Sequence, residues 1–265
     1  MTIRVGVLGA GGRMGRKVTA AAIEAGHRLG AAVDRPGSAE LGHDAGLVAG
    51  VENAGVVITA DLAAVLSNCD VVVDFTAPKA TAEHAALCAT AKVPMVIGTT
   101  GVEGAEKIAV ARAATVIPIV HAANFSIGVN ALLATVAELS KKLAGYDIEI
   151  VEIHHRKKVD APSGTALRLA QAVAEGRGQD VAKILKNGRA GQVGARTDAE
   201  LGMHAVRGGD VVGDHTVYFL GAGERIEITH RAHSRDTFAA GAVRAASWVV
   251  GRAPGLYEMR DVLGL

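Results

Sequence analysis

Residues Glu152 to Ala166 read Glu-Ile-His-His-Arg-Lys-Lys-Val-Asp-Ala-Pro-Ser-Gly-Thr-Ala, placing two histidines, three cations and a Pro-Ser-Gly-Thr helix start within fifteen positions. Histidine gives or takes a proton near neutral pH with little tuning. A helix start offers unpaired N–H groups and the positive end of a dipole to an anion. Ser163 is suited to cap that start, and Lys158 just upstream can set a full charge against a carboxylate. The segment therefore reads as a site for an anionic substrate that needs a proton. On a regular strand His154 and His155 point to opposite faces, so one acid and one ligand fit better than a matched pair. A solvated basic turn is the plainer alternative. No metal site is expected, because there is no His-Glu-x-x-His and no clustered Cys/His spacing. His230 and His233, three apart in strand-like sequence, also face opposite ways.

A second pattern opens the chain: Arg4-Val-Gly-Val-Leu-Gly-Ala-Gly-Gly-Arg-Met-Gly15, a strand running into a glycine-rich turn. Such a turn lets the backbone pass close to a pyrophosphate at a helix N-terminus. The spacing is Gly9-x-x-Gly12-x-x-Gly15 rather than strict G-x-G-x-x-G, with Met14 where the last glycine would stand. Asp34 ends the next strand, where an acid commonly binds the adenine ribose, and Arg35 behind it is suited to a 2′-phosphate. A turn made only for tight strand–helix packing is the alternative. Gly98-Thr-Thr-Gly101 and Ala122-Ala-Asn-Phe125 follow later strands, at the carboxyl edge where open α/β sheets bind ligands.

These residues need a scaffold, and the first half supplies alternating short apolar runs and helical patterns. Strands are expected at 5–8, 29–34, 71–75, 94–97 and 116–120, with helices at 13–25, 80–91 and 103–114. Runs apolar throughout imply burial on both faces, as in a parallel sheet with crossover helices. Pro118 argues against a central position in a ladder. After Asn124 the expectation is a helix over 129–144, a strand over 147–153, a helix from Gly164, and strands at 203–206, 211–220 and 225–233. Residues 176–202 read as a long loop, and the helix over 236–250 with the tail is suited to return to the first domain. A strand-rich block after a βα block points to a second, α+β domain.

The chain has 265 residues, 49% of them hydrophobic and 21% charged, which suits two modest packed domains. Aromatic residues make up only 3%, so Ala, Val, Leu and Ile must build the core. A net charge of +1 argues against a nucleic-acid binder that relies on a broad basic surface. Cys69 and Cys88 show no paired spacing, which fits a reducing cytoplasm better than a disulfide framework. No apolar run reaches the ~20 residues of a membrane span, and no signal segment is expected before the first strand.

Taken in order, Gly9 to Gly15, Asp74-Phe-Thr76, Gly98 to Gly101, Ala123-Asn-Phe-Ser126, His154-His-Arg156 through Ala161-Pro-Ser-Gly-Thr165, and Met259-Arg-Asp-Val262 resemble the dihydrodipicolinate reductases. These are the 4-hydroxy-tetrahydrodipicolinate reductases of the diaminopimelate route to lysine. The resemblance covers nearly the whole chain and implies a Rossmann-like dinucleotide-binding domain over 1–125 and 235–265. It implies an α+β domain with a mixed open sheet over 126–234, for substrate binding and homotetramer assembly. It assigns His154 as proton donor and Lys158 as a second catalytic group. His155, Ser163, Gly164 and Thr165 would hold a small dicarboxylate substrate. Gly9, Ala10, Gly11, Gly12, Arg13, Met14, Asp34, Arg35, Gly98, Thr99, Thr100, Ala122, Ala123, Asn124 and Phe125 would line NADPH or NADH. The family often has Glu where this chain has Asp34, which bears on the choice between the two cofactors. Closure of the domains over the cofactor is part of that expectation. A sensor that binds NAD(P)H without turnover, or a dehydrogenase of another amino or keto diacid, would share the glycine turn but not the whole His-His-Arg…Pro-Ser-Gly-Thr string.

Overall fold

The computed structural model describes residues 1–265 and divides into two compact units, Met1–Ile127 with Asp236–Gly264, and Gly128–Arg235 with Leu265.

In the first unit seven strands form one sheet in the order β12-β6-β5-β4-β1-β2-β3. They are β1 (Arg4–Leu8), β2 (Arg28–Val33), β3 (Ile58–Thr59), β4 (Val71–Asp74), β5 (Met95–Ile97), β6 (Pro118–His121) and β12 (Gly255–Tyr257). Every pairing is parallel. The helices are α1 (Arg13–Glu24), α2 (Ala45–Ala49), α3 (Leu62–Val65), α4 (Pro78–Ala91), α5 (Gly104–Ala114), α9 (Asp236–Val249) and α10 (Met259–Leu263). Alternate strand residues feed two cores. Val5, Val7, Val71 and Val73 pack with Val18 and Ala22 of α1 and Ala239, Ala242 and Ala246 of α9. Leu8, Val72, Met95 and Ile97 pack with Ala85 and Cys88 of α4 and with Val110 and Ala113 of α5. Burial on both faces is why these strands read as unbroken apolar runs. The strand order reverses beside β1, with β2 on one side and β4 on the other, so the turn after β1 opens at a switch point.

Two expectations need correction, and two strands were not expected at all. Strands β3 and β12, of two and three residues, give no periodic signal and exist through their parallel neighbours. Pro118 does lie inside the sheet, as the first residue of β6, where a missing N–H is tolerated. Residues 176–202 are not one loop, since they hold α8 (Val181–Ile184) and β8 (Leu185–Asn187), followed by irregular chain up to β9.

The second unit has a mixed five-stranded sheet in the order β11-β10-β7-β9-β8. Its other strands are β7 (Asp147–His154), β9 (Leu201–Arg207), β10 (Gly213–Leu220) and β11 (Arg225–Ala232), and its long helices are α6 (Ile127–Lys142) and α7 (Gly164–Arg177). Strands β7, β9 and β8 run parallel, while β10 pairs antiparallel with both β7 and β11. Strand β7 alternates strictly between half-buried and buried. Its inward Ile148 and Ile150 pack with Leu132 and Val136 of α6 and Leu169 and Val173 of α7. The same face then continues to Glu152 and His154, also buried, so the core face turns polar at the strand's carboxyl end.

On the outward face Glu149 binds Arg189 through two bonds of 2.8 and 3.0 Å, Arg196 at 3.0 Å and His204 at 2.8 Å. Gly202 lies opposite it in the register, and a Cβ there would come within 1.8 Å of the Glu149 carboxylate. The cluster fastens the irregular chain around Arg189 and Arg196 to the sheet. Burial acts to raise the Glu149 pKa, but the hydrogen bonds from Arg189, His204 and Arg196 outweigh it and hold it at about 2. A carboxyl depressed below its ordinary 4.5 stabilises the fold fully above that value, and the contribution is lost as pH falls toward about 2. Urea resistance of the chain should therefore decline from pH ~5 to ~2, and Glu149→Gln should make that decline shallower, as followed by circular dichroism.

Candidate functional site

The glycine turn of the first unit is shaped by close approach. Gly9 has φ +75°, which favours glycine, and a Cβ on Gly15 would lie 2.0 Å from the Gly9 carbonyl oxygen. Thus α1 starts hard against the turn. The amides of Gly9 and Ala10 donate to the Val33 carbonyl at 2.8 and 3.0 Å, tying the turn to the end of β2. Asp34 accepts from the Gly11 amide at 2.9 Å, the Arg35 amide at 2.7 Å and Ser38 Oγ at 3.2 Å. The structure therefore brings Gly9 to Met14 together with Asp34 and Arg35, and leaves the Arg35 side chain exposed. Gly12 caps α1 without any side-chain hydrogen bond. The cradle that a Cβ would fill and a 12-residue helix whose start no side chain caps fit a dinucleotide's pyrophosphate.

The neighbouring turns hang on Asp74, which is fully buried at the end of β4. Its carboxylate accepts from the Thr76 amide (2.9 Å), Thr76 Oγ1 (2.6 Å) and Thr99 Oγ1 (3.2 Å), and meets His84 Nδ1 at 2.9 Å. Thr81 Oγ1 donates to Thr99 Oγ1 at 2.8 Å. The Thr99 hydroxyl is therefore committed to this network, and Thr100 is exposed beside it. Gly98 lies against the Phe75 ring, 2.1 Å from where its Cβ would be. The Phe125 side chain is core, 2% exposed and edge-on to Phe75 at 5.8 Å. Asn124 Oδ1 accepts from the Ser126 amide at 2.8 Å, closing a turn in which Ala123 is exposed and Ala122 and Asn124 are half-buried.

In the second unit His154 and Glu152 share the inward face of β7. His154 Nδ1 lies 2.6 Å from Glu152 Oε2. Arg207, opposite His154 on β9, donates from Nη1 and Nη2 to the two Glu152 oxygens at 2.7 Å each. The Ser163 amide donates to Glu152 Oε1 at 3.0 Å. Ser163 caps α7, its Oγ accepting from the Ala166 amide at 3.2 Å and lying 3.1 Å from His215 Nε2. The His215 ring stands edge-on to His154 at 5.2 Å. Gly213 precedes it on β10, and a Cβ there would lie 2.9 Å from His154 Nε2. Lys158 Nζ holds the Asp160 carboxylate at 2.8 and 2.9 Å.

Of the predicted residues, the structure joins His154 to Ser163 through Glu152. His155 stays apart, tied by its backbone to Val211 and Lys158. Gly164 lies exposed at the first turn of α7, beside Thr165. The Ser163 hydroxyl serves the cap and His215. The sequence did not single out Glu152, Arg207, His215 or Thr81 as site residues, and it assigned Thr99 to the cofactor rather than to Asp74. Only Glu152 had a usable signal, because two residues apart on a strand is the same face as His154.

The electrostatics follow from burial. Burial pushes the Glu152 carboxyl up, but Arg207, His154 and the Ser163 amide outweigh it and hold it below the usual carboxylate range. Burial likewise pushes His154 down, more than its bond to Glu152 raises it, and Lys158 and Arg207 add to the lowering. Burial takes His215 down to about 4, so it is a neutral ring at physiological pH. The site is thus an imidazole backed by a charge-paired carboxylate, next to a lysine and a capped helix start. It can bind an anion and pass a proton.

Comparison with known proteins agrees with this arrangement. Residues 3–125 match the model for the N-terminus of dihydrodipicolinate reductase, and residues 128–263 match that for its C-terminus. The chain belongs to the dihydrodipicolinate reductase family. A 4-hydroxy-tetrahydrodipicolinate reductase of Acinetobacter baumannii is 53% identical over 264 residues, 99% of this chain and 96% of that protein. One from Trichlorobacter lovleyi is 51% identical over 264 residues, 99% of both chains. Among solved structures, dipicolinate-bound dihydrodipicolinate reductase from Paenisporosarcina sp. TG-14 superposes with a TM-score of 0.76 at 28% identity, covering 98% of this chain and 99% of that one. Amine dehydrogenase from Mycobacterium smegmatis, at 14% identity and a TM-score of 0.57 over 97% of this chain and 94% of that one, shares the fold alone. For this member of the family, the nucleotide turn makes a direct prediction. A Cβ on Gly11 would lie 2.5 Å from Asp34 Oδ2 and 2.8 Å from Glu40 Cγ. Gly11→Ala should weaken pyridine-nucleotide binding about tenfold or more, roughly 1.4 kcal/mol, in a titration calorimetry experiment, with the far-ultraviolet dichroism unchanged.

Proposed function

We propose that the chain reduces 4-hydroxy-tetrahydrodipicolinate to tetrahydrodipicolinate with loss of water, using NAD(P)H, as in diaminopimelate and lysine biosynthesis. The observation that carries the reading is His154, buried and backed by Glu152, beside Lys158 and the Ser163-capped start of α7, in a chain that matches the family end to end. When bound, reduced nicotinamide supplies a hydride. Gly9, Ala10, Gly11, Gly12, Arg13 and Met14 would hold the pyrophosphate, with Asp34 and Arg35 at the adenine ribose. The loops of Gly98 to Thr100 and Ala122 to Phe125 would line the nicotinamide end, Thr99 and Phe125 through their backbone because their side chains are turned to Asp74 and Phe75. Both NADPH and NADH suit these residues, Arg35 facing a 2′-phosphate and Asp34 a free ribose hydroxyl.

On the second unit Lys158, His155 and the first-turn residues Gly164 and Thr165 would take the substrate carboxylates. The Paenisporosarcina enzyme is solved with dipicolinate bound, and dipicolinate is a ring dicarboxylate of this class. Charge develops on the substrate as it accepts hydride, and donors fixed in a low-dielectric site stabilise it best. The substrate hydroxyl leaves as water with a hydrogen from the neighbouring ring carbon, and His154 would give its Nε2 proton to that carbon as the hydride is taken up, so that one hydride and one proton are consumed in all. A dianionic ligand near His154 would oppose the lowering caused by burial and favour the protonated ring.

The mixed sheet of the second unit is covered by α6 and α7 on one face, while Thr216, Tyr218 and Thr229 lie on the other. That second face would assemble a homotetramer. No helix is long and apolar enough to cross a membrane, and a cytoplasmic site of action fits the pathway.

Coupled oxidation of NADPH and NADH, with substrate made in situ from pyruvate and aspartate semialdehyde by the preceding synthase, tests the reading. Oxidation that depends on the synthase supports it; cofactor binding without oxidation points to a sensor or another diacid. His154→Ala and Lys158→Ala should each lower turnover by about 10²–10⁴-fold with NADH affinity retained, and near-normal turnover in both would remove their catalytic assignment. Arg35→Ala should raise the KM for NADPH more than that for NADH in the same assay; equal changes would show that Arg35 does not read the 2′-phosphate.

A further inference from the structure

We propose that Glu152 is the positioning residue for His154: clamped by Arg207 and the Ser163 amide, it keeps the imidazole protonated at Nδ1, so that Nε2 is the nitrogen that exchanges protons with the substrate. The proposal rests on the reductase reading only for the use made of that proton. Glu152 is fully buried, and each of its oxygens has two partners, Oε1 with Ser163 N and Arg207, Oε2 with His154 and Arg207. An ionised carboxylate only accepts hydrogen bonds, so a 2.6 Å contact requires the proton on His154 Nδ1. That leaves Nε2 for the substrate, 2.9 Å from where a Cβ on Gly213 would stand.

Arg207 has a distinct part. Without it, a buried Glu152 would take up a proton rather than stay charged, and would then no longer hold the imidazolium. The groups facing His154 are Glu152 on β7, Arg207 on β9, His215 on β10 and Lys158 in the following turn. Glu152 alone among them favours the protonated ring. His154 acting as the acid must be protonated, so turnover is lost as pH rises through its pKa. Removing the Glu152 charge lowers that pKa and moves the basic limb of the rate profile to lower pH.

Two measurements decide the matter. The first is ¹⁵N spectroscopy of histidine-labelled protein without ligand, with His154 assigned by its loss in His154→Gln. Its neutral form should be the Nδ1–H tautomer, and an Nε2–H tautomer would overturn the proposal. The second is the pH profile of kcat for Glu152→Gln, and for Glu152→Gln combined with Arg207→Gln, which leaves no unpaired guanidinium to oppose folding. In the double variant the loss of the adjacent carboxylate outweighs that of the more distant guanidinium. Turnover should fall roughly 10²- to 10⁴-fold, as expected when the carboxylate that sets a histidine tautomer is lost. The basic limb should move down by about one pH unit or more, with the KM for nucleotide unchanged. Glu152→Asp, which keeps the charge, should leave the limb nearer its original position. A folded variant whose turnover and limb match the unaltered chain overturns the proposal, and if neither variant folds the tautomer decides alone. Failure of the reductase reading would show instead as absent turnover in the unaltered chain, with the tautomer measurement unaffected.

Discussion

A carboxylate in a protein interior costs several kcal/mol in lost hydration unless charge and hydrogen bonds offset it, and Glu152 in the second unit lives under that constraint. Its four hydrogen bonds come from three separate places: His154 on its own strand, Arg207 on β9 and the Ser163 amide at the head of α7. Satisfying one buried charge therefore fixes the His154 ring, the register of a neighbouring strand and the start of α7. A half-satisfied network at this depth would be worse than an apolar core, so these elements hold together or not at all.

The first unit solves the same problem with Asp74. That buried acid ends β4 and collects Thr76, Thr99 and His84, which fastens the turns after β4 and β5. In both units an inward acid stands at or near the carboxyl end of a strand, where loops begin and backbone groups lose their ladder partners. The acid gives those loops fixed partners and so a fixed shape. Around it the packing is small and dense, with Val and Ala where α1 and α9 cover the sheet, and the scarcity of aromatics fits helices that lie close to the strands.

Burial also sets the chemistry. It makes His215 a neutral ring that receives or donates one hydrogen bond with Ser163, and it pushes His154 below its ordinary pKa in spite of the bond to Glu152. Lys158, held by Asp160, is less buried than His154.

The sequence by itself determined the alternation of strands and helices, the glycine turn, the Ser163 cap and the placement of His154 and His155 on opposite faces. Each depends on spacing within a few residues, where strand and helix periods act. Tertiary structure alone decided the partners of Glu152 and Ser163, because Arg207 lies 55 residues from Glu152 and His215 lies 52 from Ser163. Cross-strand register brings them together, and nothing local encodes register when β7 pairs with β9 and β10 rather than with a hairpin neighbour. The same reason hid β3 and β12, too short to show a period, and the anchoring of the chain around Arg189 and Arg196, whose order comes from Glu149 on a distant strand. Thr99 and Phe125 look like ligand-facing loop residues in one dimension, yet the fold turns their side chains to Asp74 and Phe75.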